Sequence, residues 1–139
     1  MYEKETELMM EMRRISAEQF VCDEVPLIGF ETAKALWETD QNVRFVCVMS
    51  EERFKNTVID RSEWIPLNRI ETEFGDRIPH KEQLIILYSA GYECPESLEA
   101  AKKLKKMGYT HVLDYKGGLE EWEENSMPIQ RKEKVYAER

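Results

Sequence analysis

Cysteine is scarce in this sequence: 139 residues contain three, Cys22, Cys47 and Cys94. Their odd number, with no C-x-x-C pair and no Cys/His ligand spacing, argues against a disulfide framework and against a zinc site. Each is read as a lone thiol, and no metal or cofactor is expected. Histidine is scarcer still, with only His80 and His111. Long apolar runs are missing too. No stretch approaches the ~18 residues of a spanning helix, and the opening MYEKETELMMEMRR lacks the apolar core of a signal peptide, so the expectation is a cytoplasmic chain with no membrane contact. Positive charge is in deficit, 20 Lys and Arg against 28 Asp and Glu for a net charge of -8. The resulting field repels nucleic acid and anionic lipid. No internal repeat or low-complexity segment is apparent.

What is present describes one globular domain with a highly charged surface: 42% hydrophobic, 10% aromatic and 35% charged residues. Leu84-Ile85-Ile86-Leu87-Tyr88 is a continuous apolar run, the pattern of a strand buried on both faces. Pro95 then opens a helix with Leu98, Ala101 and Leu104 on one face, and Gly108 closes it. His111 to Tyr115 reads as a second strand, Gly117-Gly118 as a turn, and Leu119 to Glu124 as a short helix carrying Trp122. Upstream, Val43 to Met49 reads as another strand, preceded by a helix over Glu31 to Glu38 and followed by a charged helical segment over Glu51 to Lys55. Strands alternating with helices predict an α/β fold, three layers with a mostly parallel central sheet. Trp37, Trp64 and Trp122 are expected to close the core.

In such folds ligands bind beyond the carboxyl ends of the strands. The segment to inspect is therefore Ser89-Ala90-Gly91-Tyr92-Glu93-Cys94-Pro95-Glu96-Ser97. It starts with small residues and runs into a helix N-terminus, where unpaired amides favour negative charge. Ala90, Gly91, Tyr92, Glu93 and Ser97 are candidate anion-binding positions, with Tyr92 and Glu93 at the tip. Gly117-Gly118 lacks the spacing and the Lys-Ser/Thr of a P-loop, and a tight turn explains it. Lys102, Lys103, Lys105 and Lys106 are read as a solvated helix face.

These residues carry a family resemblance. The run Leu84 to Ser89, then Cys94-Pro95-Glu96-Ser97, Ala100-Ala101, Leu104 and Gly108-Tyr109, then Gly117-Gly118-Leu119-Glu120-Glu121-Trp122 and Met127-Pro128, resembles the C-terminal half of a rhodanese domain. The closing Gly-Gly-x-x-x-Trp is its most specific part. Phe45 to Met49, Ser50 to Phe54 and Ile65-Pro66-Leu67 extend the likeness backward, so that it covers about residues 28–129. It implies a rhodanese-like domain over 27–130, flanked by an N-terminal helical extension over 1–26 and a charged tail over 131–139.

The departures bear on chemistry. Where the family has an Asp-x-Arg signature this chain has Cys47 and Met49, and Val58 precedes Ile59 where the family has a histidine. Ser89 stands at the position of the family's persulfide-carrying cysteine. Sulfur transfer needs a thiolate to attack the donor's sulfane sulfur. A serine hydroxyl forms no persulfide, and as a nucleophile it needs an adjacent base; neither histidine is placed there by spacing. Cys94, in the same loop before the helix start, is the remaining candidate thiol. Cys47 lies in an apolar run and reads as a small buried hydrophobe. Phosphatase or arsenate-reductase chemistry would need a loop cysteine and an anion-binding arginine, and no arginine lies between Ser89 and Lys106.

The expected function is thus a rhodanese-like pseudoenzyme that binds an unknown protein or a small anion at the Ser89–Ser97 loop. The alternative is a sulfurtransferase or sulfur carrier that forms a persulfide on Cys94. No residue decides between a monomer and a homodimer.

Overall fold

A computed structural model describes residues 25–133. Cys22, nearly all of the expected N-terminal extension and the end of the charged tail lie outside the described residues. The strands are β1 Leu27–Ile28, β2 Arg44–Cys47, β3 Thr57–Ile59, β4 Glu63–Trp64, β5 Ile85–Tyr88, β6 Val112–Tyr115 and β7 Ile129–Arg131. The helices are α1 Phe30–Thr39, α2 Ile70–Arg77, α3 Glu96–Lys106 and α4 Gly118–Glu124, with a 3-10 turn at Leu67–Arg69 before α2. Five strands form one sheet in the order β1-β6-β5-β2-β4, every neighbouring pair parallel. β3 and β7 make a separate antiparallel pair, which Lys132 extends by donating its N–H to Asn56 O at 2.9 Å.

The continuous apolar runs are explained by the two faces of this sheet. Phe45, Cys47, Ile86, Tyr88, Leu113 and Tyr115 pack on one side with Ala33 and Leu36 of α1 and Trp122 of α4. Val46, Ile85, Leu87 and Val112 pack on the other with Phe74 of α2 and Ala100, Ala101 and Leu104 of α3. Alternate residues of one strand thus serve opposite cores, so no polar alternation remains to be read. The result is the expected three-layer α/β/α arrangement. All three tryptophans take packing roles: Trp122 and Trp64 are buried, and Trp37 packs partly buried against the first core.

Helix α3 illustrates how local sequence sets the element ends. Pro95 precedes its first residue, where a missing N–H costs nothing. Gly108 follows it at φ +101, the left-handed conformation that glycine adopts without strain. Tyr109 N–H bonds Leu104 O at 3.0 Å and Gly108 N–H bonds Lys105 O at 3.1 Å, the paired bonds of a Schellman stop. Leu104 and Tyr109 are both buried in the second core.

One expected element is absent. Residues 51–53 form a turn and no helix. Phe54 N–H closes that turn on Ser50 O at 2.9 Å. The Phe54 ring is buried and stacks on Trp64 at 4.0 Å and 6°. Drawing this ring into the core turns the chain inward, and Asn56 follows at φ 66, outside the helical region.

Candidate functional site

The loops after β2, β5 and β6 converge because parallel strands bring their carboxyl ends to one edge of the sheet. The β5 loop is held from below by α4. Leu119 N–H donates to Ser89 O at 3.0 Å and Glu120 N–H to Ala90 O at 2.8 Å. This docking is why Gly118 is needed: its φ is +64, and a Cβ there would lie 2.5 Å from Ser89 O. The Gly-Gly turn therefore lets the first turn of α4 grip the loop. Within the loop, Cys94 N–H bonds Gly91 O at 3.1 Å.

Ser89 is 2% exposed, and its hydroxyl donates to Glu96 Oε1 at 3.2 Å. Glu96 Oε2 in turn lies 3.6 Å from Arg53 Nη1. No histidine can serve this hydroxyl as a base. His80 and His111 precede β5 and β6, at the opposite edge of the sheet, about 13 Å away by the rise of a four-residue strand.

Cys94 is 4% exposed, and its sulfur accepts a hydrogen bond from Arg53 Nη2 at 2.9 Å. Its carbonyl accepts from Lys116 Nζ at 3.1 Å. A guanidinium from the β2 loop and an ammonium from the β6 loop thus bracket this residue. Tyr92 is 62% exposed, its hydroxyl 3.5 Å from Glu121 Oε2, and Glu93 is exposed beside it. Ser97 is buried in the first turn of α3. Gly91 is buried under the carboxylate of Glu120, which a Cβ would meet at 2.5 Å.

The loop's electrostatic surroundings are therefore mixed. Glu93, Glu96, Glu120 and Glu121 supply carboxylates, and Arg53 and Lys116 supply cations. A cleft of 470 Å³ opens beside it, between the β2 turn, the 3-10 turn and the start of α3, lined by Glu51, Glu52, Arg53, Leu67, Glu96 and Glu99 among others. Among the described residues no cluster of His, Cys, Asp and Glu could hold a metal ion, and no helix is long and apolar enough to cross a membrane.

Cys47 is fully buried in β2, and burial pushes its thiol up to about 12 while a hydrogen bond with the Met49 backbone pulls the other way. It is the packing residue the apolar run implied. Asp114 is the unexpected group. It lies fully buried at the end of β6, and neither carboxyl oxygen has a hydrogen-bond partner. Burial raises its pKa; the nearby Ser97 hydroxyl and Lys116 ammonium oppose that rise. A carboxyl whose folded pKa is raised binds its proton more tightly in the native state, so stability falls as pH climbs from the unfolded value through the folded one. Asp114→Asn, which keeps the shape of the side chain and removes the buried charge, is expected to stabilise the protein at pH 7. The gain should shrink toward pH 4 in urea titrations, and a gain independent of pH would contradict the assignment.

Arg53, Lys116 and Asp114 were not singled out in the sequence. The rule that directs attention past β5 applies equally to its neighbours in the sheet, β2 and β6, and following those strands leads to Arg53 and Lys116.

The family model of the rhodanese-like domain matches residues 31–125. The chain belongs to the rhodanese-like domain family. It superposes with a TM-score of 0.67 on a thiosulfate sulfurtransferase from Pseudomonas aeruginosa, 24% identical, covering 78% of this chain and 20% of that one. A rhodanese with anions from E. coli is 25% identical with a TM-score of 0.53, covering 64% of this chain and 98% of that one. A Rhodopseudomonas palustris protein of unknown function, described as a possible tyrosine phosphatase, is 22% identical with a TM-score of 0.64, covering 76% of this chain and 85% of that one. No curated protein matches.

Proposed function

We propose that this chain is a rhodanese-like binding module without thiosulfate sulfurtransferase activity, its β5 loop and adjoining cleft serving to engage a partner. The supporting observation is the contact between Ser89 and Glu96. Where the family resemblance puts the persulfide cysteine stands a buried hydroxyl with no histidine near it, bonded to the chain's own carboxylate. A fixed carboxylate in this place repels a thiosulfate dianion and a phosphate ester alike. Glu120 against Gly91 adds a second carboxylate, which favours a protein over a small anion as the partner.

One contact favours the second reading, a sulfur carrier on Cys94: the guanidinium of Arg53 at 2.9 Å from its sulfur. In that chemistry the Cys94 thiolate attacks the outer sulfur of thiosulfate and a new S–S bond forms. Sulfite leaves with the electron pair of the broken bond. Cyanide then removes the outer sulfur as thiocyanate and restores the thiolate.

Peptide mass spectrometry of the reduced protein, after thiosulfate or a persulfide donor, separates the two readings. The expected result is an unmodified Cys94 peptide under conditions that load an ordinary rhodanese. One added sulfur, discharged by cyanide and lost in Cys94→Ala, would establish the carrier instead.

A further inference from the structure

The cleft beside the loop has a chemistry of its own, and it is not that of an anion site. Its carboxylates come from two separate elements, the turn after β2 with Glu51 and Glu52, and the first turn of α3 with Glu96 and Glu99. Against these four carboxylates the lining has one cation, Arg53, which already contacts Cys94 and Glu96. Arg69 lies 3.4 Å from Glu51; Glu52 and Glu99 stand exposed. The α3 amides, which would attract an anion, already have Glu96 and Glu99 in their own first turn. The excess charge therefore faces outward and is negative, in a chain of net charge -8.

We propose that this cleft docks a lysine- or arginine-bearing segment of a partner protein. The proposal rests on the binding-module reading and names the partner's chemistry. The volume of 470 Å³ suits a few side chains, since sites for small ligands span about 300–1,000 Å³. Leu67 and Pro95 offer apolar surface for the aliphatic stem of a long basic side chain, whose charged head then reaches the carboxylates. Charge complementarity of this kind steers encounter and weakens with salt, because the exposed carboxylates are screened over a Debye length of about 8 Å at physiological ionic strength.

The test uses the full chain, labelled with nitrogen-15 and titrated with an alternating Arg-Gly octapeptide, with a Glu-Gly octapeptide as control. Amide shifts should concentrate on residues 50–53, 67–68 and 96–99 for the basic peptide and be absent for the acidic one. The double variant Glu52→Gln/Glu99→Gln should raise the Kd at least tenfold. Glu38→Gln/Glu123→Gln, which removes two exposed carboxylates elsewhere, should change it less than twofold. Shifts spread over the whole acidic surface, equal losses in both double variants, or binding of the acidic peptide at the cleft would overturn the proposal. The sulfur-loading experiment on the same sample keeps the two ideas apart. A persulfide on Cys94 together with localised shifts overturns the non-catalytic reading and leaves the docking site standing. Failure of the basic peptide to shift the cleft overturns the docking site whatever the mass spectrum shows.

Discussion

Ser89→Cys should create a chain that accepts sulfur from thiosulfate at position 89, and Ser89→Cys/Glu96→Gln should turn over about ten- to a hundredfold faster. The first substitution places a thiol at the end of β5, where the loop and the start of α3 are already in place. It also sets that thiolate against the Glu96 carboxylate, which now bonds the Ser89 hydroxyl at 3.2 Å. Two unit charges ~4 Å apart interact by about 4 kcal/mol at an effective dielectric of 20, and partial solvent access reduces that to ~1.4–2.8 kcal/mol. Each ~1.4 kcal/mol is a factor of ten in rate. The same carboxylate repels the incoming dianion, so its neutralisation should also lower KM. Thiocyanate formation from thiosulfate and cyanide measures both quantities. If Ser89→Cys alone matches an ordinary rhodanese, Glu96 is not the obstacle. If the folded double variant remains inert, the block lies elsewhere in the site, with the residues at Cys47, Met49 and Val58 the first to examine.

The parallel sheet was legible because its strands are buried on both faces. Leu84 to Tyr88 cannot satisfy two cores without being apolar throughout, and that constraint leaves a run visible in the sequence. The ends of α3 were legible for a similarly local reason, with Pro95 and Gly108 specifying backbone geometry by themselves. The pairing of β3 with β7 left no such trace, since three-residue strands at the margin carry no period. The turn at residues 51–53 was misread as helical because its charged residues are good helix formers. The competing demand, Phe54 stacking on Trp64, comes from a strand ten residues on. The site divides in the same way. Ser89 and Cys94 stand out because they lie in one loop after one strand. Arg53 and Lys116 reach Cys94 from separations of 41 and 22 residues, and only the order β6-β5-β2 in the sheet brings those three loops together.

Trp122→Ala should lower stability by ~3–5 kcal/mol, the range for removing a large aromatic from a packed core. Trp122 is completely buried, and its ring lies within 5.8–6.3 Å of those of Phe30, Trp37, Phe45 and Tyr115. Those partners come from α1, β2 and β6, so the ring ties one helical layer to the sheet. Its indole N–H also donates to Pro128 O at 2.8 Å, which fixes the chain entering β7. With an m-value of ~1–3 kcal/mol/M, the urea midpoint should fall by roughly 1–5 M while m itself is unchanged. Trp37→Ala is the comparison. Trp37 is only partly buried, and its indole bonds Asp60 O at 3.0 Å, so it should cost less than half as much. Equal losses would mean that the aromatic cluster is held from its rim and that Trp122 is not its hub. The substitution also reaches the loop, because α4 carries both Trp122 and the two amides that hold Ser89 and Ala90. Amide hydrogen exchange at Leu119 and Glu120 should accelerate in Trp122→Ala beyond what global unfolding accounts for. If only the global rate changes, the grip of α4 on the loop does not depend on the core beneath it.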